Sequence, residues 1–467
     1  MTTISAPTSA TMKPAIRESR RLGAIAIVTI IAVGFAVGRF VLFEPSAAQT
    51  AGPRVTRAAI SPAKSLARLE RVVKRDPTDL RSLQKLAGVY VQRAIQTADP
   101  SFYDLSQRAL DRADAIAPDQ DLTLLTQGVL ALSRHDFAGA LDLGGRVHSR
   151  NPAQPDALAV LVDASVELGN YDAAAAYLQD LLDQRPGLPA YSRLSYLREL
   201  HGDDDGALVA MREAQVAGGG ATFDNSTIRT FLGDLAFGQG RITEAGAEYA
   251  EALRRSPGLP LAELGAARVL AASGRTVDAI DALDQLTRRV PLAAAVALLG
   301  DLQAVAGRAT ASARSYELVR SITRLQEASG QVTDLELAVF EADHASDGGV
   351  FSPAAANVAV DRARRVYATR PDNVYAADAL AWALIRAGDP VAARPLVDRA
   401  VRLDTGDALL HYHAAVVLEA TGEVDAARAE LGRTFARNPW FSFRHRDDAR
   451  ALAARLGVPV PAVWSRS

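Results

Sequence analysis

From Ser61 onward, apolar side chains recur at three- and four-residue intervals, the spacing of amphipathic helices that each bury one face. Glycines punctuate this pattern at a regular phase. Gly169, Gly202, Gly240, Gly274, Gly307, Gly388 and Gly422 each follow one apolar stretch and precede another, with gaps of 33, 38, 34, 33, 81 and 34 residues. Pro152, Pro186, Pro257, Pro291, Pro371 and Pro439 mark the far ends of the same modules. Glycine tolerates the left-handed conformation that ends a helix, and proline cannot continue one. Each module of about 34 residues therefore reads as helix, glycine turn, second helix and proline stop.

Small and aromatic residues sit at fixed places within the module. The unit beginning at Asn225 carries Leu232, Gly233, Ala245, Tyr249, Ala252 and Pro257; that from Ala293 carries Leu299, Gly300 and Tyr316. The unit from Val374 carries Leu380, Ala393 and Ala400, and that from Ala408 carries Ala427 and Pro439. This pattern resembles the tetratricopeptide repeat. The resemblance implies an all-α superhelical solenoid of about ten units over residues 61–440. Each unit would leave a face uncovered until its neighbour stacks on it. Asp447 to Gly457 reads as a helix covering the far end, within a terminal segment 441–467, and Ser61 to Pro77 as its counterpart in front. Three stretches depart from the period: Thr97 to Asp104, the loop 216–226 and the loop 344–353.

In front of the solenoid, Leu22 to Gly38 is uncharged, and the apolar tract 22–43 holds one arginine, Arg39. As a helix of twenty-two residues it would span about 33 Å, enough for a bilayer core. Lys13, Arg17, Arg20 and Arg21 lie in the tail 1–21, so a signal-anchor helix would leave that tail in the cytoplasm and the solenoid outside it. Residues 44–60 read as a flexible linker. Ser46 to Ala48 also has the small-x-small pattern of signal-peptidase sites, so the alternative is export and release after cleavage near Ala48.

Composition supports the helical reading: 49% of residues are hydrophobic and only 6% aromatic. The net charge is −2, of which the first 44 residues contribute five basic and two acidic groups, or +3, leaving −5 for the rest. A mildly acidic body with no basic run argues against nucleic acid as a partner. The chain has no cysteine, which removes disulfides and thiolate chemistry. No cofactor is expected either. "GDLAFG", Gly233 to Gly238, has the glycine spacing of a phosphate loop, but Gln239 stands where such a loop needs lysine.

No catalytic constellation emerges, so a non-enzymatic role is expected. In tetratricopeptide repeats the first helix of each unit lines a concave groove. Carried onto this chain, the groove positions are Tyr196, Glu199, Asp234, Phe237, Arg268, Asp301, Phe340, Tyr375, Asp378, Trp382 and Arg386. Aromatic rings interleaved with both signs of charge suit a protein or peptide segment. With Arg268 and Arg386 as the only basic groups among them, an acidic C-terminal peptide is a poor fit. The chain is thus expected to be a scaffold or assembly factor. The alternative is an accessory or metal-delivery factor using Glu336, Asp343 and His344, since carboxylate and imidazole together ligate divalent ions. His411 and His413 stand two apart, about 200° around a helix, and are not expected to share an ion.

Overall fold

All seven turn glycines adopt the left-handed conformation, with φ between 69° and 87°, so the sequence punctuation marks real chain reversals. The computed structural model describes residues 28–29, 41–42, 62–97, 99–218, 222–345 and 351–465. From residue 62 these fold into twenty-two α-helices and a closing 3-10 turn, Ala462–Ser465. A leading helix α1 (Pro62–Arg75) precedes ten helix-turn-helix units. Units one to five are α2 (Leu80–Thr97) with α3 (Ser101–Ile116), α4 (Asp121–Ser133) with α5 (Phe137–Arg150), α6 (Pro155–Leu168) with α7 (Tyr171–Gln184), α8 (Leu188–Leu200) with α9 (Asp204–Ala217), and α10 (Thr222–Gly238) with α11 (Ile242–Arg255). Units six to ten are α12 (Pro260–Ala272) with α13 (Thr276–Arg289), α14 (Ala293–Val305) with α15 (Ala309–Ala328), α16 (Asp334–Asp343) with α17 (Pro353–Thr369), α18 (Val374–Arg386) with α19 (Pro390–Ala400), and α20 (Ala408–Ala420) with α21 (Val424–Arg437). Helix α22 (Arg446–Leu456) follows.

The module residues explain how each unit closes. A side chain at Gly233 would place its Cβ 2.6 Å from the Tyr249 ring, and one at Gly265 would meet the same ring at 2.3 Å. The tyrosine therefore fills the space that two glycines vacate, one in its own unit and one in the next. Gly300 serves Tyr316 in the same way, at 2.5 Å. Helix starts are capped by acids in the turns: Asp136 accepts from the Gly139 amide and Asp203 from the Gly206 amide, both at 2.9 Å. The acidic run at His201 to Gly206 is a cap and a turn.

The solenoid coils so tightly that its second part, α16 to α22, packs along its first. The last carbonyls of an α-helix have no partner within the helix. Here those of four first helices are met from the other part of the chain. Arg134 O, ending α4, accepts from the Val332 amide at 2.8 Å. Glu167 O of α6 accepts from Asn373 Nδ2 at 3.0 Å, Glu199 O of α8 from the Gly406 amide at 3.3 Å, and Phe237 O of α10 from Asn438 Nδ2 at 3.0 Å. The donors precede α16, α18, α20 and α22, so unit two meets unit eight and each later pairing advances by one unit. These four contacts join residues 198 to 207 positions apart. The turn glycines permit the approach: a Cβ on Gly169 would lie 2.3 Å from the Asp372 carbonyl carbon, and one on Gly202 would lie 2.3 Å from Asp404 O.

Within the expected anchor 22–43, the described residues are four. Val28–Thr29 pairs antiparallel with Val41–Leu42, where a helix is expected. These are β-branched or branched aliphatic residues, which suit extended backbone. The rest of that tract lies outside the described residues, as do the tail 1–21 and the linker 44–60. Among the described residues no helix is long and apolar enough to cross a membrane. Residues 219–221 and 346–350 of the two long loops also lie outside them.

Candidate functional site

The tight coil changes the setting of the expected groove residues. None of the eleven is exposed. Trp382 is 1% exposed and donates its indole N–H to Asp343 Oδ1 at 2.7 Å. Its ring stacks on His413 with centroids 3.9 Å apart. Phe237 is also 1% exposed and lies under the Arg268 guanidinium, 4.0 Å from the ring centroid. Asp234 and Asp301 accept the hydroxyls of Tyr249 (2.7 Å) and Tyr316 (2.9 Å), the tyrosines that the neighbouring glycines admit. Tyr196, Glu199, Tyr375 and Arg386 are half-buried, Arg386 donating to Ala342 O at 3.2 Å. Phe237, Asp301, Phe340, Asp378 and Trp382 are buried, and the remaining six are half-buried.

Two of the eleven, Asp301 and Phe340, line a cavity of about 110 Å³ at the seam where the coil returns to its first unit. The first unit contributes Ile95, Pro100 and Tyr103, and α14 to α16 with the α14 N-cap contribute Leu292, Ala297, Ile322 and Leu337. Glu336, Asp343 and His344 line the same cavity, with His135. Glu336 Oε1 is buried without a hydrogen-bond partner, and His135 Nδ1 lies 3.9 Å from it. The lengthened turn at Thr97 to Asp104 and the start of the loop 344–353 both border this space, so two of the three departures from the repeat period converge on it.

The metal set expected from sequence is rearranged. His344 turns away from Asp343: its Nδ1 meets Phe340 O at 2.6 Å and its Nε2 meets Asp301 at 3.1 Å. Glu336 lies two turns away along α16, beside His135. Asp343 instead joins His413 and His445, which bring one ligand atom each to within 4.8 Å of one another. His445 Nε2 lies 2.9 Å from Asp343 Oδ1. Burial opposes both charges of this pair, yet Coulomb attraction and the hydrogen bond prevail: Asp343 is held far below the carboxylate range and His445 is raised to about 9. His413 takes Asp378 through Nδ1, at 3.0 and 3.1 Å from the two oxygens. His411 meets Glu430 at 2.6 Å, so the two histidines of α20 do take separate partners.

Sequence reasoning missed His413 and His445 as companions of Asp343. Asp343, Asp378 and His413 are spaced by 35 residues each, and His445 follows 32 later. That near-repeat spacing stacks them on adjacent helices of the coil. Polar residues recurring in phase on first helices are the signal that would have found them.

A tetratricopeptide repeat model matches residues 131–198, 236–302 and 384–456. Cellulose synthase 2 operon protein C of Komagataeibacter xylinus is 29% identical over 310 residues, covering 65% of this chain. The chain spans only 21% of that relative's length. Among solved structures, a thermophilic tetratricopeptide repeat protein of Thermus thermophilus is 23% identical and covers 40% of this chain and 99% of its own, with a TM-score of 0.35. One from Parabacteroides merdae is 14% identical and covers 52% of this chain and 98% of its own, with a TM-score of 0.36. Scores this low leave the arrangement of the coil to be read from its own contacts. The three matched segments fall on the glycine-turn, proline-stop modules and on the helix pairs that those modules form. Through them, the chain carries tetratricopeptide repeats.

Proposed function

We propose that the chain is a non-catalytic scaffold that binds a segment of a partner protein, held outside the cytoplasm by a membrane anchor at 22–43. The cavity at the seam carries this reading, because it combines apolar walls with a buried, unpartnered carboxylate oxygen on Glu336. An orphaned buried carboxylate oxygen is costly unless a donor reaches it. A lysine of a partner segment supplies that donor, with its stem against Ile95, Leu292 and Phe340. Asp301 and Phe340 are thus the groove residues that face the partner, while Asp234, Phe237, Asp378 and Trp382 make internal contacts. The likeness to a protein of a cellulose synthase operon supports service beside a larger machine.

Affinity capture from membranes tests the reading, comparing wild type with Glu336→Gln, which keeps side-chain shape. A partner held by wild type and lost by the variant at unchanged helicity supports it, and identical partners on both refute it. Sequencing the mature N-terminus tests the anchor: a chain that begins at Gln49 has been cleaved and released.

A further inference from the structure

We propose that Asp343, His413 and His445 form a binding site for one divalent transition-metal ion of the zinc class. The three come from separate elements, the end of α16, the middle of α20 and the N-cap of α22. They converge where the second part of the coil turns inward, and all three are buried. Two imidazoles and a carboxylate are a donor set that suits zinc and its neighbours in the first transition row.

Hydrogen bonding within the protein accounts for part of this cluster and fails for the rest. Asp343 Oδ1 is satisfied by Trp382 and His445. His413 is not: with Nδ1 on the Asp378 carboxylate, its Nε2 has no hydrogen-bond partner although the residue is 1% exposed. A buried imidazole nitrogen is ordinarily paired. The ring is also held rigidly, clamped by Asp378 on one edge and by the Trp382 face at 3.9 Å. A carboxylate behind one imidazole nitrogen is the arrangement that fixes a ligating histidine's tautomer and presents the other nitrogen to a metal.

The distances fit with a small adjustment. Around a tetrahedral ion with bonds of about 2.1 Å, neighbouring donor atoms stand about 3.4 Å apart. The pair Asp343 Oδ1 and His445 Nε2, now 2.9 Å apart, opens by about half an ångström as the ion replaces the shared proton. His413 closes in from within the 4.8 Å limit. Asp343 also lines the seam cavity, which gives the ion a route in and leaves space for a water as the remaining ligand. The ion site shares Asp343 with the seam cavity but does not use Glu336, so loss of partner capture in Glu336→Gln and loss of ion binding in the histidine variants are read separately.

The test uses the full-length chain stripped with a chelator, then titrated with zinc chloride by calorimetry and with cobalt chloride by absorption. The expected result is one ion per chain, with affinity reduced by more than about tenfold in His413→Gln and His445→Gln, and by about tenfold in Asp378→Asn. His344→Gln, which removes the neighbouring imidazole on Asp301, leaves affinity unchanged. Circular dichroism shows whether each variant is folded; if the histidine variants are not, Asp378→Asn and the cobalt spectrum of wild type decide. Wild-type binding weaker than about 100 µM overturns the proposal, since ion held so loosely adds nothing to the folded state at trace-metal levels. So does equal affinity in wild type and the folded variants.

Discussion

Replacing Gly169 by alanine tests whether the two parts of the coil are docked as described, because a second turn glycine provides a matched control. Gly169 and Gly274 have nearly the same backbone conformation, with φ of 84° and 78°. Alanine at either position incurs the left-handed penalty of about 1–2 kcal/mol. Around Gly274 a new Cβ meets nothing within 4 Å, whereas at Gly169 it lies 2.3 Å from the Asp372 carbonyl carbon and 2.4 Å from the Asn373 nitrogen. Ordinary contact requires a retreat of about 1 Å. The obstacle is backbone, so no side-chain rotation relieves it. That retreat breaks the bonds from Asn373 Nδ2 to Glu167 O (3.0 Å) and from the Val374 amide to Tyr171 OH (3.1 Å). It also loosens the buried pair of Arg370 and Glu167, 3.3 Å apart. Two neutral hydrogen bonds at about 1 kcal/mol each and one charged one at about 1.5–3 kcal/mol bring the added loss to about 4 kcal/mol. Urea denaturation followed by circular dichroism measures the difference between the two variants, and small-angle scattering reports whether the coil expands. Gly169→Ala should be the less stable by several kcal/mol and the larger in radius of gyration. Equal stability and equal radius would refute the docking.

Two further predictions rest on buried polar groups. Tyr249→Phe removes the 2.7 Å bond to Asp234 and costs about 1.5–3 kcal/mol by urea denaturation; in an Asp234→Ala background the same change costs little, and additive losses would deny the coupling. Burial, with help from Glu336 and Asp163 and against Arg370, raises Glu167 to about 7. A carboxyl raised in the folded state favours folding below its ordinary pKa near 4.5, and that contribution fades as pH rises through about 7. Stability should therefore fall between pH 5 and 7.5 by at most about 3 kcal/mol, and Glu167→Gln should flatten the decline; an equally steep variant contradicts the assignment.

The repeat was legible because its cause is local. Glycine must stand where a helix ends left-handed, and Gly233 and Gly265 must be small for Tyr249 to cross them. The curl of the coil was not, because its bonds join Asn373 and Asn438 to backbone carbonyls some 200 residues away. Nothing near either asparagine announces that partner. The candidate groove shows the same division: repeat phase singles out Trp382 and Asp378 as first-helix positions, while their burial goes with the Asp343 and His413 that neighbouring units bring against them. At the seam, Glu336, Asp343 and His344 form a polar cluster in the sequence, and they share one cavity. Which of them face each other depended on how helices from distant units meet.

An open solenoid tolerates gain or loss of a unit, since each unit touches only its neighbours. The carbonyl ladder that joins unit two to unit eight removes that freedom. Deleting one module between α10 and α16 would shift every later donor by one acceptor, setting Asn373 against Arg134 and leaving Phe237 O unmet. The number of repeats in the loop of the coil is therefore locked, and drift by duplication or deletion is confined to the ends of the array.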